Sequence, residues 1–73
     1  MTEQQARIIM AYAEKNMNVR AAGLLLYMSE GMVSYHLNKI FLKTRRNPRK
    51  FFDLCYLVGI AALILGGNEH ENK

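Results

Sequence analysis

Between Asn18 and Ile40 the apolar residues fall into two short helical runs that are out of phase with each other. Val19, Ala22, Gly23 and Leu26 share one helix face, and Val33, Leu37, Ile40 and Phe41 repeat at i, i+4, i+7 and i+8 beyond them. Each run follows a residue suited to cap it. Asn18 precedes the first and Ser29 precedes the second, and the oxygen of either side chain accepts a backbone N–H that the first helical turn leaves unpaired. The pattern predicts a helix from about Val19 to Leu26, a turn over Tyr27 to Ser29, and a third helix from Ser29 onward. Ala21, Ala22 and Gly23 are small enough for two helices to cross closely over such a turn.

The flanks complete an all-α, four-helix reading. Thr2 and Gln5 make a capping-box pattern that starts helix one, which continues to about Lys15 with Ala6, Ile9, Met10 and Ala13 as its inward stripe; Arg7 and Tyr12 fall elsewhere. Asn16 and Asn18 then favour a left-handed residue followed by a new cap. Helices one and two are expected to cross and support helix three. Helix three extends through Lys43 and ends over Thr44 to Arg46, with cations where the helix dipole favours them. Asn47-Pro48 signals the start of helix four, which is expected to reach Leu65 and stop at Gly66 and Gly67. One domain over residues 1–67 and a disordered polar tail over 68–73 follow.

Helix four breaks the amphipathic rule. From Leu54 to Leu65 it holds no charged residue and is apolar on nearly all sides, yet it is shorter than the roughly 20 apolar residues a membrane span needs. One side is expected to cover helices one and three, which leaves the other side without a partner in this chain. A homodimer resolves this, with a two-fold axis expected near Leu57, Val58, Ala61, Ala62 and Ile64. A monomer with an exposed apolar helix, or a piece cut from a longer protein, are the alternatives.

Composition sharpens the choice of partner. A chain of 73 residues, 51% of them hydrophobic, buries only a thin core, so apolar surface is left over for association. The net charge of +4 points to polyanions, and its distribution points further: Lys39, Lys43, Arg45, Arg46, Arg49 and Lys50 lie together with no acid among them. No secretory signal opens the chain, and the single cysteine, Cys55, has no partner for an internal disulfide, so a reducing, cytoplasmic setting is expected. Cys55 itself reads as a small buried hydrophobe. The sequence offers no phosphate loop, no catalytic carboxylate pair and no metal-ligand spacing around His36 or His70. An enzyme, a cofactor and a small-molecule ligand are therefore not expected.

With Val33, Leu37 and Ile40 facing inward, Gly31, Ser34, Tyr35 and Asn38 face outward on helix three, flanked by Met32 and Lys39. That polar, aromatic and basic face suits a helix lying in a DNA major groove. Asn38 is the expected adenine contact, with Met32 and Ser34 offering contacts to thymine methyl groups. Lys43, Arg45 and Arg46, with Arg49 and Lys50, are expected on phosphates. Glu30 sits where a carboxylate complements the helix dipole.

The same stretch resembles the helix-turn-helix domain at the C-terminal end of purine-catabolism (PucR-type) and sugar-diacid regulators, itself similar to the DNA-binding end of Fis-like proteins. The residues that carry the resemblance are Asn18, Val19, Ala21, Leu26, Tyr27, Met28, Ser29, Val33, Tyr35, His36, Leu37, Lys39 and Ile40, in register without a gap. Thr44 and the Pro48-to-Leu54 segment resemble the loop that leads into the family's last helix. The chain departs from the family at Glu30, Gly31, Met32 and Ser34, where the family favours Arg, Asn, Thr and Arg. The resemblance implies a transcriptional regulator that reads double-stranded DNA; His36 stands where the family has a basic residue, which leaves two readings for it, a phosphate contact or a histidine at the edge of the core. Taken together, the outward face, the cation cluster and the resemblance give expected DNA contacts at Ser29, Gly31, Met32, Ser34, Tyr35, His36, Asn38, Lys39, Lys43, Arg45 and Arg46. The missing arginines keep a second reading open: a protein-interaction module, adaptor or antirepressor, built on the same scaffold.

Overall fold

The structure is a computed structural model that describes the backbone of residues 1–71 and the side chains of residues 1–66. Among the described residues it holds four helices and no strand: α1 (Glu3–Glu14), α2 (Val19–Leu26), α3 (Glu30–Thr44) and α4 (Phe51–Glu71). Each of the first three starts where its cap predicts. Thr2 Oγ1 accepts from Gln5 N–H at 3.1 Å while Thr2 N–H donates to Gln5 Oε1 at 3.2 Å, so both arms of the capping box are closed. Asn18 accepts from Ala21 N–H at 2.9 Å and Ser29 from Met32 N–H at 3.1 Å.

Helix α1 packs against each of the other three, α2 also packs on α3, and α4 runs along α1 with its backbone clear of α2 and α3. Helix four therefore covers helix one alone at the backbone level, not helices one and three together as expected. One core holds the bundle: Ala6, Ile8, Ile9, Ala11 and Tyr12 of α1, Ala22 of α2, Val33, Leu37 and Ile40 of α3, and Leu54, Leu57 and Ala61 of α4.

The buried face of α1 is wider than the expected stripe. Ile8, Ala11 and Tyr12 are buried, whereas Met10 lies at the surface and Ala13 is half-buried. A helix that meets three neighbours buries more than one 3.6-residue stripe, and a pattern drawn for one neighbour misses the rest. On α3 the inward set is Val33, Leu37 and Ile40, while Phe41 stays exposed at the flank.

Two tight connections set the angles. Asn16 and Met17 both take left-handed backbone (φ 58° and 65°) between α1 and the cap of α2. After α2 the chain reverses through Tyr27, also left-handed at φ 58°, and Met28 N–H donates to Gly23 C=O at 2.8 Å. This brings the turn directly over Gly23. A Cβ there would stand 2.6 Å from the Met28 carbonyl oxygen, well inside contact distance. Glycine at 23 is thus the condition for α3 to leave α2 at this angle.

The last helix differs from expectation at both ends. Asn47 and Pro48 form a turn of their own, in which Lys50 N–H bonds Asn47 C=O at 2.9 Å, and α4 begins at Phe51. At the other end the backbone stays helical through Gly66 and Gly67 to Glu71, so the expected stop at Leu65 does not occur. Two glycines weaken a helix without ending it unless one adopts left-handed backbone, and among the described residues no glycine has positive φ. The disordered polar tail expected over 68–73 falls on residues whose side chains, and at 72 and 73 whose backbone, lie outside the described residues. No helix among the described residues is long and apolar enough to cross a membrane.

Replacing Gly23 by Ala should destabilise the fold by about 1–3 kcal/mol, the range for forced overpacking, read as a lower urea midpoint with an unchanged slope. An unchanged midpoint would mean that the turn gives way without cost.

Candidate nucleic-acid interface

Helix α3 presents its outward face as its periodicity requires. Gly31, Tyr35 and Asn38 are exposed along its middle, Met32 and Lys39 are exposed on one flank, and Ser34 is half-buried on the other. Ser29 is exposed, but its hydroxyl oxygen is occupied by the cap bond. Lys39 Nζ lies 5.5 Å from the centre of the Tyr35 ring, one helical turn away, within range of a cation–π contact. His36 lies half-buried with its ring edge-on to Tyr35 at 5.4 Å between centres, and its Nδ1 is buried without a hydrogen-bond partner. A phosphate contact from that nitrogen would require the ring to turn.

Of the six cations of residues 39–50, Lys39 and Lys43 stand on α3 and the other four sit on a braced loop. Thr44 Oγ–H donates to Ile40 C=O at 2.8 Å and its oxygen accepts from Arg46 N–H at 3.1 Å, which closes the end of α3. Arg45 takes left-handed backbone (φ 61°) just past that end. Asn47 Oδ1 accepts from Arg49 N–H at 3.0 Å, and Asp53 of α4 reaches back to accept from Asn47 N–H at 3.0 Å. The loop is therefore held at both ends by side-chain to backbone bonds. Such bracing holds the backbone from which its charged side chains extend.

The six cations are not equivalent. Arg46 pairs with Asp53 at 3.7 Å and lies over the Tyr56 ring at 4.2 Å, so its charge is already engaged by α4. Arg49 Nη1 donates to Asn38 Oδ1 at 2.9 Å, across eleven residues from loop to helix. Lys43, Arg45 and Lys50 are exposed. The acceptor oxygen of Asn38, the one residue singled out by sequence for an adenine contact, is thus taken by Arg49. What the pair offers a ligand is the remaining guanidinium edge, the Asn38 amide N–H groups and the second lone pair of its oxygen.

Sequence reasoning missed two members of this surface. Leu42 lies one turn beyond Asn38 on the same meridian of α3 and is 72% exposed, beside Phe41 and Arg45, which line a shallow hollow with it. Tyr27, at the turn, is 97% exposed. The signal for Leu42 was present, since its position is i+4 from Asn38 and i+7 from Tyr35, but a leucine within an apolar run is read as core. Arg49 could not be paired with Asn38 from sequence, because the pairing depends on the path of the loop.

The expected dimer residues are divided by the structure. Leu57 and Ala61 are fully buried in the chain's own core and cannot form a seam; Val58 and Ile64 are half-buried against that core, and Ala62 alone is exposed. Helix α4 is rotated relative to expectation. With apolar residues all round, its periodicity did not say which face turns inward. Cys55, expected to be buried, is exposed on the other face.

Among the described residues no group of His, Cys, Asp or Glu is placed to hold a metal ion. The chain matches no known protein family, no curated protein and no solved structure.

Burial raises the pKa of Tyr12 above its ordinary 10.0, and the Arg49 charge draws it part of the way back. The folded state thus favours the neutral phenol. Its contribution is intact below the unfolded pKa and is lost as pH rises through the folded one. Tyr12→Phe should therefore flatten the fall in stability above about pH 10, measured as urea midpoint against pH.

Proposed function

We propose that the protein binds double-stranded DNA as a homodimeric, cytoplasmic transcriptional regulator. In this reading α2 and α3 act as a helix-turn-helix and α3 lies in the major groove. The observation that carries the reading is the union of two features. The exposed face of α3, with Lys39 and Lys43 on it, is bonded through Asn38 and Arg49 to a braced loop that carries four more cations, and no acid stands among residues 39–50. A groove-reading helix needs phosphate contacts at its flank to fix its register, and this loop is in place to supply them. The resemblance to PucR-type regulators supports the same assignment.

Within that reading the roles shift from those expected by sequence. Asn38 is a positioning residue that holds Arg49 toward a phosphate. Base contacts fall to the first turns of α3, where Gly31 lets the helix approach closely and Met32, Ser34 and Tyr35 reach base edges and thymine methyl groups. Lys43, Arg45 and Lys50 serve as phosphate contacts, and Arg46 is held back by Asp53 and Tyr56. The homodimer joins two such units through α4.

A second reading is favoured by the exposed apolar side chains beside the same face. Leu24 and Tyr27 at the α2 end, and Leu42 with Phe41 toward the far end of α3, are exposed apolar side chains that a protein partner could cover, as in an adaptor or antirepressor.

Selection of bound sequences from random duplex DNA tests the first reading: an enriched palindrome is expected, and salt-insensitive binding with no enrichment would favour the second. Replacing Lys43 and Arg45 together by Gln should weaken binding to all duplexes alike and reduce the salt slope by about 1.8, at roughly 0.9 for each phosphate that is no longer neutralised. Asn38→Ala and Arg49→Ala should each weaken preferred and scrambled DNA equally, and the double variant should be no worse than the Arg49 change alone. A weakening confined to the preferred site on Asn38→Ala would return that residue to base reading.

A further inference from the structure

Helix α4 has two apolar faces, and this chain uses one. Leu54, Leu57 and Ala61 are buried in the core. On the far side Phe52, Cys55, Tyr56, Gly59, Ala62 and Leu63 are all exposed, and their spacing places them in one straight stripe that Gly66 continues. Phe52 is 84% exposed, Leu63 78% and Tyr56 51%. A contiguous patch of this kind, unlike scattered apolar side chains, marks a surface that meets something.

The glycines in the stripe point to what it meets. A Cβ built at Gly59 or at Gly66 would touch nothing within 4 Å, so the chain's own packing requires glycine at neither position. Both weaken the helix relative to alanine. The space they leave is open on the outer side of α4, where another helix can approach closely.

We propose that the stripe is a seam onto a second copy of this chain, with two α4 helices crossing antiparallel about a two-fold axis at Gly59. The proposal rests on the homodimer in the reading above and is independent of DNA binding. In such a pair, residues equally far before and after Gly59 meet. Phe52 then faces Gly66, Tyr56 faces Ala62, Leu63 faces Cys55, and Gly59 faces its own copy. Every facing pair sets a smaller side chain against a larger one, except at the axis, where two glycines let the backbones cross closely. That is the condition for interdigitated packing. A parallel pair would set Phe52 on Phe52 and Gly59 on Gly59 in separate layers, with a clash in one and a hole in the other.

Charge selects the same orientation. Arg49 and Lys50 stand just ahead of α4 beside the positive end of its dipole, and the negative end of the dipole lies at its C-terminus. An antiparallel pair brings ends of opposite sign together and opposes the two helix dipoles, whereas a parallel pair sets like on like. The surface is self-complementary, so the assembly closes at two copies.

The test uses the whole chain without DNA. Sedimentation equilibrium should show a dimer, and Gly59→Leu should weaken it roughly tenfold or more while circular dichroism stays unchanged, because the added side chain meets open space in the single chain. Leu63→Cys sets a second thiol opposite Cys55 of the other copy, and mild oxidation should yield a disulfide-linked dimer. The unmodified chain should not crosslink, since two Cys55 thiols would lie about 12 Å apart along the antiparallel pair, beyond disulfide reach. A monomer at high concentration would overturn both the homodimer and the seam. A dimer that tolerates Gly59→Leu, that crosslinks through Cys55 alone, or that fails to crosslink with Leu63→Cys would overturn the seam and leave a homodimer built elsewhere.

Discussion

The structure depends on the burial of one wide face of α1. Ala6, Ile8, Ile9, Ala11 and Tyr12 are almost wholly shielded, and each of the other three helices packs on this element. In so small a chain the surface available for burial is limited, and a central helix shared by three neighbours makes the most of it. The arrangement has a consequence for α4. Because the backbone of α4 runs along α1 and clear of α2 and α3, the outer side of its apolar circumference is left uncovered by its own chain.

The second constraint is steric and local. The Met28 carbonyl rests over Gly23, and the crossing of α2 and α3 follows from that approach. Together the two constraints hold α3 by its Val33, Leu37 and Ile40 side while its opposite side stays free. The loop after α3 is then tied down by Thr44, Asn47 and Asp53, so the backbone that carries its cations is held beside the free face. The rigidity of this region comes from side chains that satisfy backbone groups at helix ends, where unpaired N–H and C=O groups would otherwise need water.

Surface chemistry divides the molecule between these two devices. One side carries cations and hydrogen-bonding groups with a few exposed apolar residues among them. The outer face of α4 carries no charge from Leu54 onward through Gly66. Arg46 sits at the boundary, paired with Asp53 and stacked on Tyr56, and so links the charged loop to the start of the apolar stripe.

The helix starts at Thr2, Asn18 and Ser29, the extent of α2, and the inward side of α3 were legible in the sequence. Each depends on interactions within about one helical turn: a cap bonds a backbone group three residues away, and an amphipathic period records one buried side. What reaches farther was not legible. Tyr12 is buried and Met10 is not because α1 meets three neighbours, whose directions no single period encodes. Leu57 and Ala61 turn inward and Phe52, Gly59 and Leu63 outward because α4 packs on α1, and a helix apolar all round carries no polar stripe to announce its rotation. Asn38 meets Arg49 because the loop folds back across eleven residues. The sequence by itself determined the elements and their caps, since those follow from local hydrogen bonding. Only the tertiary structure decided which apolar face is spare and which cation is already held, since both follow from contacts between elements.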